Sequence, residues 1–306
     1  MKPAVVVTGI SGNLGRTLAR QIHLRERIIG LDRRPFVGQP KDVEMHEIDL
    51  RKKKAEDVFR KNKIHAVIHM GIMHDPRMSE EEHHSFNVVG TTRVLEYCAK
   101  YGVAKVVVLS SANVYGPSPD NSNFLTEDAP LMGASRFSGV RDLIEVDMLA
   151  SGFFWRHPNI ETVILRPVHI VGPTIKNAPS NYLRLKHPVV VAGYDPMLQL
   201  VHVEDAARAM VEALRPGLRG VYNVTGPGQA PLSAILRELR KAPLPVPQPF
   251  ARMLLSSAFK YRLSSFPPPE LDHIQYVCAV DGARWERDVQ WKPQYSLKET
   301  IQSVVG

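Results

Sequence analysis

Residues 5–22 constrain the fold of this chain more than any other stretch. The apolar run Val5-Val6-Val7 leads through Thr8 into Gly9-Ile10-Ser11-Gly12-Asn13-Leu14-Gly15, and Arg16 to Ile22 then continues with helical spacing. The pattern predicts a buried strand, a glycine turn and a helix. Gly9 permits the tight turn, Gly12 lets backbone approach a pyrophosphate, and Gly15 allows close packing of helix on strand. The helix N-terminus, with its unpaired N–H groups and positive dipole end, is then the natural seat of phosphate. A glycine pattern alone is weak, so its meaning depends on the rest of the chain.

Beyond residue 22 strands and helices alternate, the signature of a parallel sheet covered on both faces. Ile28 to Leu31 reads as a second strand with Asp32 at its end, where a carboxylate can accept hydrogen bonds from an adenosine ribose and repel a 2′-phosphate. That position favours NAD, although Arg33 and Arg34 directly after it leave NADP open. A third strand, Val43 to Ile48, ends at Asp49-Leu50, and a fourth, Ala66 to Met70, ends at Gly71. A helix is expected from Ser85 to Tyr101, then a fifth strand, Lys105 to Leu109, ending in Ser110-Ser111-Ala112-Asn113-Val114-Tyr115-Gly116. Reactive groups in open α/β sheets gather beyond the carboxyl ends of the strands, which places these hydroxyls at a cleft.

The 306 residues allow roughly two domains. No apolar run approaches the roughly 20 residues of a membrane span, and the short apolar start ending in a glycine turn does not read as a secretory signal. These features predict a cytoplasmic protein. Cys98 and Cys278 stand far apart in apolar settings and are expected to be buried thiols. His65, His69, His74, His83 and His84 lie close in sequence, but no pair has convincing ligand spacing on a helix face, so no metal site is expected. The net charge of +8 is partly concentrated in Arg51-Lys52-Lys53-Lys54, read as a solvated helix face.

The ordered set Thr8 to Gly15, Asp32, Asp49-Leu50, Asn87 to Thr91, Ser110 to Gly116, Leu165-Arg166-Pro167, Val171-Gly172-Pro173 and Val201 to Ala206 resembles the extended short-chain dehydrogenase/reductases, in the nucleotide-sugar epimerase and dehydratase branch. The likeness continues through Asp281 to Arg284 and Asp288 to Pro293. It implies an α/β fold, a Rossmann-type doubly wound parallel sheet with a smaller C-terminal substrate or cap region. The division expected is residues 1–165 with segments near 195–225 for the NAD(P)-binding domain, and 166–194 with 226–306 for the cap. Cofactor contacts are implied for Gly9, Ser11, Gly12, Asn13, Leu14, Gly15, Asp32, Arg33, Asp49, Leu50, Met70, Gly71, Asn87, Arg141 and Pro167. The helices from about Phe86 to Tyr101 and Ser138 to Gly152 match those that build a dimer interface in the family, which implies a homodimer.

In that family a serine after the fifth strand works with a Tyr-x-x-x-Lys pair, and the tyrosine exchanges a proton while hydride moves to or from the nicotinamide. Ser111 matches the serine. The pair falls on Phe137 and Arg141, with Glu145 fixing the register. Phenylalanine has no titratable proton, and arginine is a rigid fork rather than a compact ammonium. Ser111, Ser138 and Tyr115 remain as substitute donors, though a serine is a weak acid without an activating base and Tyr115 reads first as a packed or cleft-lining aromatic. The family's diphosphate-clamping arginines also have no counterpart in Pro196 to Val201 or Pro267 to Asp272, leaving Arg184, Lys186 or Arg262 to compensate.

In the last third, Pro243, Pro245, Pro247 and Pro249 are expected to break any helix over Ala242 to Pro249. Phe250 to Phe259 has amphipathic spacing and reads as a core helix, an apolar lid or a membrane-surface helix. The expected function is an NAD(P)-binding protein without the usual relay, catalytically impaired, serving as a cofactor-dependent binding or sensing protein for an unidentified small molecule. Two alternatives stay open. One is an active oxidoreductase, epimerase or dehydratase with a relocated acid/base, acting on a nucleotide sugar or an apolar alcohol. The other is an RNA-binding derivative, against which stands a basic run with no interleaved aromatics to stack on bases.

Overall fold

The computed structural model describes residues 2–73, 78–133, 140–261 and 268–305. His74, Phe137, Ser138 and Arg262 lie outside the described residues. Contacts divide the chain into two compact units, one of residues 1–111, 141–166 and 206–222, the other of 112–140, 167–205 and 223–306.

The first unit is built on β1 (Ala4–Thr8), β2 (Arg27–Asp32), β3 (Glu44–Glu47), β4 (Ile64–His69), β5 (Lys105–Leu109) and β6 (Glu161–Pro167). They lie in the order β3-β2-β1-β4-β5-β6, with a seventh strand, Gly220–Val224, beyond β6. Every pairing from β3 to β6 is parallel. All five residues of β1 are buried, which explains its unbroken apolar run: a strand covered on both faces has no solvent side to alternate toward. Ala4, Val6, Ile29, Leu31, Val67, Val106 and Ile164 share one core cluster with Val58, Phe59, Val94, Leu95, Val146 and Phe153. Those partners belong to α2 (Lys53–Lys61), α4 (Gly90–Lys100) and α5 (Arg141–Arg156). Val5, Val7 and Ile28 on the alternate positions are also fully buried.

The glycine turn leads into α1 (Asn13–Ile22), with Gly12 as its N-cap. The helix expected from Ser85 starts earlier, as α3 (Glu80–His84). Ser79 Oγ accepts the Glu82 N–H at 3.2 Å, and the three glutamates of the first turn suit the positive end of the helix dipole. Helix α3 runs into α4 through a π turn, Ser85–Val89.

The second unit contains β7 (His169–Val171), α6 (Ala178–Arg184), β8 (Val189–Val191) and β9 (Met197–His202). Helix α7 (Val203–Glu212) then leads the chain to the seventh strand of the large sheet, β10. It continues with β11 (Gln229–Pro231), α8 (Leu232–Glu238), β12 (Leu244–Val246), α9 (Gln248–Lys260), α10 (Ala283–Val289) and α11 (Leu297–Gln302). A three-stranded sheet has the order β11-β9-β7, and β12 pairs with β8. Leu183, Leu200, Ile235, Leu236, Leu271 and Ile301 are among the residues of its core. Pro249 does not stop a helix as expected. It stands in the first turn of α9, where its missing N–H would have had no partner anyway. Cys98 is buried as expected, whereas Cys278 is only partly buried.

Candidate functional site

The order β3-β2-β1-β4-β5-β6 reverses between β1 and β4, and ligands of open α/β sheets bind at that switch point, beyond the carboxyl ends of the strands. Gly9 and the Met70-Gly71 step meet there. Gly9 has φ +74°, and a Cβ on it would stand 2.6 Å from the Met70 carbonyl oxygen and 2.9 Å from the Gly71 nitrogen. A Cβ on Gly15 would stand 2.5 Å from the Gly9 oxygen and 2.6 Å from Ile10 Cα. Gly12 is different, since its nearest neighbours would be the Gly9 oxygen at 3.2 Å and the Arg34 guanidinium at 3.7 Å. Two glycines are therefore required by the packing of the turn itself, while at Gly12, the N-cap of α1, the neighbours are one carbonyl oxygen and the far end of the Arg34 side chain. Ser11, Asn13 and Leu14 belong to the same turn and to the first turn of the helix. This cradle fits the diphosphate of a dinucleotide, because a side chain at Gly12 would fill it.

Asp32 ends β2 and is only 6 % exposed. Its Oδ2 accepts the Ser11 backbone N–H at 3.1 Å, and its Oδ1 accepts the Arg34 backbone N–H at 3.0 Å. The Arg34 guanidinium also approaches it, with Nε 3.3 Å from Oδ1, while that side chain is 63 % exposed. Ser11 Oγ donates to the Arg34 carbonyl at 2.8 Å, tying the glycine turn to the end of β2. Arg33 points elsewhere, its guanidinium 4.8 Å from the centre of the Phe86 ring. Asp49 accepts two bonds from Arg51 on its Oδ1 and Oδ2 at 2.9 and 2.5 Å, and this partner holds its carboxyl below the ordinary aspartate range. Leu50 is buried, beside the position a Cβ of Gly71 would take.

A fully buried histidine fixes the end of β4. His69 Nδ1 lies 2.7 Å from Thr8 Oγ1 and its Nε2 lies 2.8 Å from Thr91 Oγ1. Thr8 Oγ1 already accepts the N–H groups of Met70 and Gly71 at 3.2 and 3.1 Å, so its own proton goes to Nδ1. Thr91 gives its proton to the Asn87 carbonyl at 2.5 Å, so it accepts from Nε2–H. The ring is thereby held as the neutral Nε2–H tautomer, and burial pushes its pKa down to about 4. Asn87, inside the π turn, accepts the Met73 N–H at 2.7 Å and donates to the Met73 carbonyl at 3.1 Å. Its side chain thus clamps the segment that leaves β4.

A second buried group lies at the end of β5. Asp147 of α5 is fully buried and receives the Arg166 guanidinium on both oxygens, Nε at 2.8 Å and Nη2 at 2.7 Å. Ser110 Oγ donates to the same carboxylate at 2.6 Å. Ser111, the next residue, is partly exposed. Arg141 opens α5 and is exposed, and Pro167 closes β6 and is buried. Phe137, the residue expected at the tyrosine position, lies outside the described residues.

Tyr115 does not fit the part of a substitute proton donor. It is 1 % exposed, and its hydroxyl donates to Asn223 Oδ1 at 2.8 Å. Asn223 in turn donates to the carbonyls of Leu125 and Asp281, so the tyrosine ends a buried structural network. Arg184 does not fit the part of a diphosphate clamp, because its guanidinium is engaged by the carbonyls of Val304, Ile175 and Gly172 at 2.8, 2.6 and 2.9 Å.

Within the second unit, Asn113, His169, His273, Tyr276 and Cys278 line a small recess with room for about one water molecule. His169 and His273 meet edge to face at 5.6 Å, and burial lowers their pKa values to about 4 and about 3. The Cys278 thiol is pushed up to about 12 by burial. Sequence reading did not single out this pair of imidazoles. In the first unit, His84, Asp142 and Glu145 bring one potential ligand atom each within 4.8 Å of one another. They come from two helices, α3 and α5, so a search for spacing along one helix could not find them.

Strand order, glycine turn and terminal aspartate define a Rossmann-type doubly wound architecture with a dinucleotide cradle. A profile of the NAD dependent epimerase/dehydratase family matches residues 5–225, and the chain belongs to that family. UDP-glucose 4-epimerase of Bacillus subtilis (strain 168) is 27 % identical, over 97 % of this chain and 94 % of its own. An uncharacterized protein of Mycobacterium tuberculosis is 26 % identical, over 97 % of this chain and 82 % of its own. The solved structure of Thermus thermophilus UDP-glucose 4-epimerase complexed with NAD superposes with a TM-score of 0.76 at 20 % identity, covering 99 % of this chain and 97 % of the other. The expected resemblance to the epimerase and dehydratase branch is thus borne out.

Proposed function

We propose that this chain binds NAD at the β1/β4 switch point and acts as a cofactor-dependent binding or sensing protein whose usual proton relay is lost. The observation that carries the reading is a contrast within the first unit. The groups for the adenosine half are held ready by the fold's own hydrogen bonds, whereas the lysine position is taken by exposed Arg141, four residues after Phe137 in sequence.

In this reading the backbone at Gly12 and the first N–H groups of α1 hold the diphosphate, and the Asp32 carboxylate accepts from the ribose hydroxyls. A carboxylate offers about four acceptor sites. The backbone N–H groups of Ser11 and Arg34 occupy two of them, and the exposed Arg34 side chain covers the others until a ribose displaces it. NAD supplies hydride exchange when bound. Ser111 is then left to orient a ligand hydroxyl or carbonyl, with no phenol to move its proton. The NAD-bound solved structure named above supports the choice of cofactor by likeness of fold.

The second reading is an active epimerase or dehydratase with a relocated acid/base, favoured by the 27 % identity to a UDP-glucose 4-epimerase along nearly the whole chain. Calorimetric titration with NAD and with NADP tests cofactor binding, and absence of both sinks the proposal. Turnover of UDP-glucose by the unmodified chain would establish the second reading instead. If Phe137→Tyr with Arg141→Lys creates an activity the parent lacks, the relay has been lost at those two positions.

A further inference from the structure

Helix α9 is apolar on two sides. Its inner side carries Ala251 and Leu255, both within the core of the second unit. Its outer side carries Phe250, Met253, Leu254 and, just past its end, Tyr261, which are 59, 62, 47 and 70 % exposed. At about 100° per residue these four and Ser257 project within about 100° of one another, a single stripe along the helix. A surface helix ordinarily turns polar side chains outward. This one has no acidic residue at all, and exposed Lys260 borders the stripe, while Arg252 lies on another side of the helix and donates through Nη2 to Asp272 Oδ1 at 3.1 Å. From Arg237 to Tyr261 the chain carries five cations, Arg237, Arg240, Lys241, Arg252 and Lys260, against one acid, Glu238. Leu244, 48 % exposed, adds apolar surface in the same stretch.

We propose that α9 docks this protein onto the surface of an anionic lipid bilayer. The helix lies in the plane of the interface, with Phe250, Met253, Leu254 and Tyr261 at the acyl boundary and Lys260 and Arg240 among the headgroups. Charge selects this occupant. A second copy of the chain carries the same net +8 and the same basic stretch, so two α9 faces brought together would repel. A bilayer rich in acidic headgroups supplies the complement, worth a favourable contribution for each nearby cation. At 13 residues the helix is too short to span, and no helix among the described residues is long and apolar enough to cross a membrane. The contact is therefore peripheral, and it stands independently of the cofactor proposal.

The test is flotation of the full chain with vesicles of phosphatidylcholine alone and of phosphatidylcholine mixed with phosphatidylglycerol. The expected result is binding to the mixed vesicles only, weakened by added salt. Met253→Ser with Leu254→Ser should lower that binding about tenfold or more, with the circular dichroism spectrum and melting temperature unchanged. Arg240→Glu with Lys260→Glu, which leaves the apolar stripe intact, should also lower it. Three results overturn the proposal: no flotation with the mixed vesicles, equal binding to both kinds, or a concentration-dependent dimer by light scattering that the Met253/Leu254 variant abolishes.

Discussion

Asp147 and Arg166 face each other in the interior as a two-pronged ion pair, Nε to Oδ2 at 2.8 Å and Nη2 to Oδ1 at 2.7 Å, with 0 and 4 % exposure. The pair joins α5, which opens with Arg141, to the end of β6, and through Ser110 to the end of β5. The ends of β5 and β6 and the helix α5 are thereby tied to one buried carboxylate. Removing either partner strands a charge in a low-dielectric interior. Asp147→Ala should lower the unfolding free energy by about 3–5 kcal/mol in urea titration. Asp147→Leu with Arg166→Met should recover most of that loss, which would assign it to the stranded charge rather than to lost packing.

The glycines of the cradle should separate by what they serve. Gly15→Ala meets backbone atoms on two sides and Gly9→Ala adds a positive φ, so both should fail to fold or melt far below the parent. Gly12→Ala has only one tight neighbour and should stay within about 1 kcal/mol of parental stability. Its NAD affinity, read by calorimetry, should nonetheless fall tenfold or more. Equal NAD affinity in a folded Gly12→Ala protein would remove the cradle from the binding site.

Asp32 and Arg34 make opposite predictions about the cofactor. Asp32→Asn leaves the shape but removes the charge, and should weaken NAD about tenfold while relieving repulsion of a 2′-phosphate. Arg34→Ala removes a cation that covers the Asp32 carboxylate, so NAD should bind as well or better and NADP worse. The NAD/NADP ratio of dissociation constants measured on both variants checks the pair of claims.

Buried His69 should make stability fall in acid. Its folded pKa is depressed to about 4 by burial, below the ordinary value near 6.5. Between those values the unfolded chain takes up a proton that the folded chain refuses, so stability declines as pH drops from about 6.5 to about 4 and the contribution levels off below. The loss is about 3 kcal/mol for a depression of this size. His69→Gln should flatten this part of the curve of unfolding free energy against pH. An unchanged slope would show that the loss comes from other groups.

The sheet, the glycine turn and Asp32 could be read from sequence because each depends on local spacing: an unbroken apolar run, a three-residue glycine interval, an acid at a strand end. The two buried networks could not, since their members lie far apart along the chain. Thr8 and His69 are separated by 61 positions, and Ser110 and Asp147 by 37. A partial signal is present. Asp147 sits among Ile144, Val146 and Ala150 on a helix, and Arg166 closes the apolar run of β6, and a charge in a core position implies a buried counter-charge. Tyr115 and Arg184 mislead for the opposite reason. Their side chains carry useful chemistry, but the partners that consume it, Asn223 and the carbonyl of Val304, are 108 and 120 residues away.

The π turn at Ser85–Val89 amounts to one surplus residue in an otherwise regular helix, and it sets the phase of everything before it against everything after it. With that residue in place, Asn87 reaches Met73 while Thr91 reaches the Asn87 carbonyl. Deleting Val89 alone would restore a regular repeat and swing the amino-terminal half by about 100° relative to Thr91. A shortened chain should therefore keep its helix content yet lose the grip on the segment after β4. In this part of the molecule the count of residues, as much as their identity, sets the shape of the crevice.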